Sequence, residues 1–114
     1  MSVENITNRL ELSSLIKDNK DVIIYCGLTH CAPCKKIYPV FESYANKNTN
    51  IKFCKITLDN CNERNDEYFR DYLNLKKFPT FTLISETNIL EQFIGPNEEK
   101  LHSIINSISG DEEF

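Results

Sequence analysis

The run His30-Cys31-Ala32-Pro33-Cys34 constrains this chain more than any other stretch. Two cysteines three positions apart, with a proline between them, can close a small disulfide ring and open it again. Upstream, Asp21-Val22-Ile23-Ile24-Tyr25-Cys26-Gly27 reads as a buried strand, and downstream, Cys34 to Lys47 reads as a helix. The pair therefore stands where a strand hands over to a helix N-terminus. Unpaired N–H groups and the helix dipole favour negative charge there, so a thiol ionises more readily. A Cys-x-x-Cys in a βα setting points to thiol–disulfide exchange ahead of its alternatives, half of a zinc site or two unreactive thiols.

The remaining bounds are permissive. A chain of 114 residues, 40% apolar and 26% charged, suits one globular domain with a core of its own. The expected division is a domain over 1–109 and a short, frayed acidic tail over 110–114. A net charge of −4 gives no overall basic character to suggest nucleic acid or an anionic membrane. No apolar run approaches the roughly 20 residues of a membrane span, and Met1-Ser2-Val3-Glu4-Asn5 has none of the parts of a secretory signal. Five cysteines, an odd number, fit a fully paired secreted scaffold poorly, so a reducing, cytoplasmic setting is expected. The Asn-, Ile- and Lys-rich, Gly-poor composition resembles AT-rich coding sequence, which leaves carriage in a virus particle open.

In chain order, Val3 to Ile6 is a short edge strand. Thr7 or Asn8 caps a helix, with Glu11 at capping-box spacing from Asn8 and Leu10, Leu12, Leu15 and Ile16 as its apolar residues. Val22 to Cys26 is apolar throughout, as expected of a strand covered on both faces. The helix after the cysteines presents Cys34, Ile37, Tyr38, Phe41, Tyr44 and Ala45, and Pro39 inside it is expected to kink it near Lys35–Lys36. A strand over Ile51 to Leu58 follows, then a helix from Glu63 to Leu73 with Tyr68, Phe69, Tyr72 and Leu73 inward. Phe81 to Ile84 and Ile89 to Ile94 form a hairpin, and Gly95-Pro96-Asn97 opens a last helix with Leu101, Ile104, Ile105 and Ile108 as its stripe. The order is β-α-β-α-β-α-β-β-α.

With these residues in place, the chain resembles the thioredoxin family over nearly its full length, and in particular its small single-domain members of eukaryotic type. The matching features are Cys31-Ala32-Pro33-Cys34-Lys35, Pro39, Phe78-Pro79-Thr80, Phe93-Ile94-Gly95 and Asn97-Glu98-Glu99-Lys100-Leu101. The resemblance implies an α/β thioredoxin fold: a mixed sheet of about five strands with helices on both faces, and Pro79 in the cis form beside the cysteine pair. Phe78, Pro79, Thr80, Ile94 and Gly95 would line a groove for an extended substrate segment. Cys31, at the helix N-terminus on the exposed side of the loop, is the expected nucleophile, forming a mixed disulfide with the substrate. Cys34, one turn inward, is the expected resolving thiol, and Pro33 holds the two sulfurs near bonding distance.

Three departures from the family pattern bear on rate and direction. Tyr25 stands where the family has a buried acid beneath the second cysteine, and a tyrosine is a poor base at neutral pH. Either Cys34 attacks more slowly or water takes its proton. Lys55 matches that acid's buried lysine partner but lacks its carboxylate; the alternative is that Lys55 snorkels to the surface and Tyr25 merely packs. His30 replaces a tryptophan; it either lowers the Cys31 pKa when protonated or sits solvated in its loop. Gly27 likewise replaces a larger residue, and with no tryptophan anywhere in the chain the groove beside the site is expected to be more open and less apolar. Ala32 in place of glycine is a mild change, and proline at Pro33 fits the reducing end of the family. The Cys61 to Phe78 segment is about a helical turn longer than in close relatives.

Cys26 and Cys54 read as buried small hydrophobes, and Cys61, in a loop, as a candidate regulatory thiol. No second close cysteine pair completes a zinc cage, so no metal is expected. Two functions follow. The first is an enzyme, a thiol–disulfide oxidoreductase that reduces protein disulfides as a monomer. It would hold no cofactor, and the resemblance implies that a flavin- and NADPH-dependent reductase recharges it. The second is a binding module that docks a partner chain beside Pro79 with its dithiol weak or idle. Glutaredoxin chemistry is disfavoured, because no Gly-Gly follows the Pro79 strand.

Overall fold

A computed structural model describes residues 2–109; the acidic tail expected over 110–114 lies outside them. Five strands and four helices follow in the expected order: β1 Val3–Asn5, α1 Arg9–Asp18, β2 Asp21–Gly27, α2 Ala32–Lys47, β3 Lys52–Thr57, α3 Glu63–Tyr72, β4 Thr80–Ser85, β5 Asn88–Ile94 and α4 Glu98–Ser109. A short 3₁₀ turn, Leu58–Asn60, follows β3. The strands form one sheet in the order β1-β3-β2-β4-β5. β1 and β2 run parallel to β3, β4 runs antiparallel to β2, and β5 antiparallel to β4. In the β4–β5 ladder Leu83 pairs with Glu91 but Ile84 pairs with Ile89, so Leu90 is an extra residue in a β-bulge.

Strand alternation divides the core. Val22, Ile24 and Cys26 of β2 join Leu12, Leu15 and Ile16 of α1 and Phe69 and Leu73 from the α3 segment. Ile23 and Tyr25 join Cys34, Ile37, Phe41 and Ala45 of α2 and Leu101, Ile104 and Ile105 of α4. Thus α1 and α3 cover one face and α2 and α4 the other, which is why β2 is apolar without a break. Leu10 departs from expectation. It is 71% exposed, because it sits two residues before Leu12, about 200° around the helix from the stripe that packs. Tyr68, Tyr72, Tyr38, Tyr44 and Ile108 are half-buried rims rather than core.

α2 begins two residues earlier than the sequence suggests. Cys31 is its N-cap, and Pro33 lies in its first turn. Proline is tolerated there because its missing N–H has no helical partner to lose. The helix continues through Pro39 to Lys47 as one element.

Candidate active site

The two cysteines are joined, with Cα atoms 5.2 Å apart. Cys31 has an extended backbone, and its sulfur accepts the Cys34 N–H at 3.3 Å, capping the helix with sulfur in place of the usual oxygen. Cys34 is fully buried against α2 and the sheet, whereas Cys31 is half-buried. A reactant arriving from solvent therefore meets Cys31 first. Ala32 and Pro33 are exposed between them.

The opposite wall comes from the start of β4. Thr80 pairs with Cys26 and with Ile94, so antiparallel pairing delivers the residues before β4 to the end of β2 where the cysteines stand. The Phe78–Pro79 peptide is cis, and the Phe78 carbonyl oxygen lies 4.0 Å from the Cys31 sulfur. The Thr80 hydroxyl donates to the Lys77 carbonyl at 2.6 Å, and the Gly95 N–H donates to the Pro79 carbonyl at 2.8 Å. Gly95 has φ +105°, a conformation that side chains rarely adopt. Phe78, Pro79, Thr80, Ile94 and Gly95 thus gather at one edge, with Ile94 half exposed.

Beneath the pair, Tyr25 packs its ring against Tyr38, Phe41 and Phe81. Burial pushes its phenol up to about 12, with Tyr38 and Cys26 adding to the effect, so it keeps its proton at neutral pH. A Cβ placed at Gly27 would overlap the Tyr25 hydroxyl and ring, so the phenol fills the space that glycine leaves. Lys55 places its Nζ 4.7 Å from the centre of the Tyr38 ring, a cation–π contact in place of the missing carboxylate.

His30 is exposed. Next to it, the Thr29 N–H donates to an Asp59 carboxylate oxygen at 3.0 Å. Hydrogen bonds from Thr29 hold the Asp59 carboxyl below the usual range, and the nearby His30 adds to this. The sequence pattern alone does not point to Asp59 as a site residue. The signal lies in the topology, since parallel neighbours β2 and β3 bring their following loops to the same edge. Arg70, likewise not marked by any sequence pattern, has its guanidinium carbon 5.5 Å from the centre of the Phe78 ring.

Cys26 and Cys54 are buried and Cys61 is half-buried, its sulfur 3.6 Å from the Thr57 carbonyl oxygen. Burial raises all three thiols, Cys54 to about 12. Among the described residues no cluster of three or more His, Cys, Asp or Glu could hold a metal ion, and no helix is long and apolar enough to cross a membrane.

A family model described as thioredoxin matches residues 3–107. Human thioredoxin is 32% identical over 90 residues, covering 79% of this chain and 81% of its own. Thioredoxin-2 of Pyricularia oryzae is 28% identical over 107 residues, and those residues cover 94% of this chain but 60% of that longer relative. Among solved structures, Plasmodium falciparum thioredoxin superposes with a TM-score of 0.83 at 26% identity, covering 92% of this chain and 98% of that one. Fasciola hepatica thioredoxin gives 0.83 at 25%, with the same coverage of each.

Proposed function

The chain belongs to the thioredoxin family, and from that premise we propose that it reduces protein disulfides in the cytoplasm, with Cys31 as nucleophile and Cys34 as resolving thiol. The reading is supported by one observation above the rest: the Cys31–Cys34 disulfide closes the N-terminus of α2 with Cys31 reachable and Cys34 fully buried.

In the reduced protein the Cys31 thiolate attacks one sulfur of a substrate disulfide. That S–S bond breaks, a mixed disulfide forms, and the first substrate thiol leaves with a proton. Cys34 then loses its proton and attacks the Cys31 sulfur. The intramolecular ring closes and the second substrate thiol leaves. Two electrons pass to the substrate: the Cys31 and Cys34 sulfurs are oxidised to the disulfide as the two substrate sulfurs are reduced to thiols, and the exchange runs through these sulfurs without a resident cofactor. A thioredoxin-reductase-like enzyme carrying flavin and drawing on NADPH would return the electrons. The monomer would hold an extended substrate segment along Phe78, Pro79, Thr80, Ile94 and Gly95. Cys61 takes no part in this cycle and stands as a candidate regulatory thiol, half-buried beside the Thr57 carbonyl oxygen and with its pKa raised by burial.

The second reading, a binding module with a weak dithiol, draws on Tyr25, which offers the departing Cys34 proton no carboxylate. Insulin reduction separates the two. With dithiothreitol as electron source, and then with a reductase and NADPH, wild type is expected to precipitate the insulin B chain well ahead of a Cys31→Ser variant. Equal rates would leave the binding module.

A further inference from the structure

The negative net charge of the chain conceals a local reversal around the disulfide. Lys35 and Lys36 follow Cys34 directly in the first turns of α2, and Lys76 and Lys77 directly precede Phe78; all four are exposed. The Phe78 carbonyl oxygen is 4.0 Å from the Cys31 sulfur, so the segment ending in Lys76-Lys77 and the start of α2 with Lys35-Lys36 both meet at the reachable sulfur. Arg70 lies over the Phe78 ring, but its charge is paired with Asp66. Two nearby carboxylates have partners of their own. Asp59 accepts the Thr29 N–H, and Asp66 is paired with Arg70 at 2.6 Å. Glu63 and Glu67 line a small cleft with Arg70 on α3, and Glu98 and Glu99 open α4. Among the described residues the ion pairs are Lys52–Glu4 and Arg70–Asp66, so none of the four lysines is neutralised by a close carboxylate.

We propose that Lys76 and Lys77, with Lys35 and Lys36 across the disulfide, select substrate disulfides flanked by aspartate or glutamate. This deepens the reductase reading and rests on it. A substrate cysteine must come within bonding distance of the Cys31 sulfur, beside Phe78. Lys77 and Lys76 are then about 4 and 7 Å further along the backbone. Side chains one or two residues from the attacked cysteine meet these ammonium groups, which lie within about one Debye length of them at physiological salt. Carboxylates there are drawn in; lysines are repelled.

The test uses short peptides that each carry one cysteine as a mixed disulfide with 5-thio-2-nitrobenzoate. The two residues on either side are Asp-Glu, Ser-Ser or Lys-Lys. Release of the chromophore by reduced protein is followed under single turnover. Each rate is divided by that with uncharged dithiothreitol, which removes differences in intrinsic reactivity. At low salt the acidic peptide is expected to react about tenfold faster than the basic one, with the gap closing at high salt. Lys76→Gln/Lys77→Gln should level the order and Lys76→Glu/Lys77→Glu should invert it, with thermal melts confirming that both variants fold. A wild-type ratio below about twofold, or an unchanged order in the Glu variant, overturns the selection. Release no faster than with Cys31→Ser for every peptide overturns the reductase reading itself, so the two failures are distinct.

Discussion

Tyr25 and Gly27 lie two positions apart on the same face of β2, and each accounts for the other. The phenol lies along the strand over Gly27, where a Cβ would collide with its hydroxyl and ring. From sequence they read as two separate departures, one removing a proton acceptor and one opening a groove. Side-chain length along a strand couples them, and a letter string does not display that. Gly27→Ala is expected to cost about 1–3 kcal/mol, the usual range for overpacking. In a Tyr25→Leu background, whose side chain is too short to reach Gly27, the same change should be near neutral. Chemical denaturation of the four proteins gives the coupling, and additive effects would contradict the pairing.

At the scale of elements, much was legible. Continuous apolar character identified β2, the cysteine spacing identified the strand-to-helix junction, and the Pro79 motif located the start of β4. What escaped were contacts made by packing across the sheet, such as Asp59 beneath the Thr29 N–H and Arg70 over Phe78. Leu10 falls outside the packed stripe because helical phase, not hydrophobic identity alone, decides which side chains face the sheet. α2 is anchored by Phe41, fully buried and in ring contact with Tyr25, Tyr38, Phe53 and Phe81. Phe41→Ala should therefore cost about 3–5 kcal/mol. Leu10→Ala, on an exposed helix face, should stay within about 0.5 kcal/mol of wild type. Guanidinium midpoints compare the two directly.

For the whole molecule, the buried acids fix the alkaline limit of stability. Burial lifts Cys54 and Tyr25 to about 12 and Cys26 well above the ordinary thiol value. Once unfolded, these groups ionise near their ordinary values of about 9 for the thiols and 10 for the phenol, whereas folded they stay protonated. The folded state then holds more protons, so the contribution is complete below about pH 9 and is lost as pH climbs towards 12. Guanidinium unfolding of the oxidised protein should show stability falling between pH 9 and 10.5. The fall should be shallower in a Cys26→Ala/Cys54→Ala variant, and equal slopes would count against this account.

The bulge at Leu90 bears on how copies of the molecule coexist at high concentration. β5 is an outer strand, and it carries Ile89 and Leu90 at 43% and 61% exposure. A straight strand with that pair would present a row of unsatisfied N–H and C=O groups for another sheet to extend. The extra residue breaks the spacing of that row and twists the strand locally. At the other margin, β1 offers three residues. Crowded copies therefore find no long, flat margin on which to grow a fibril.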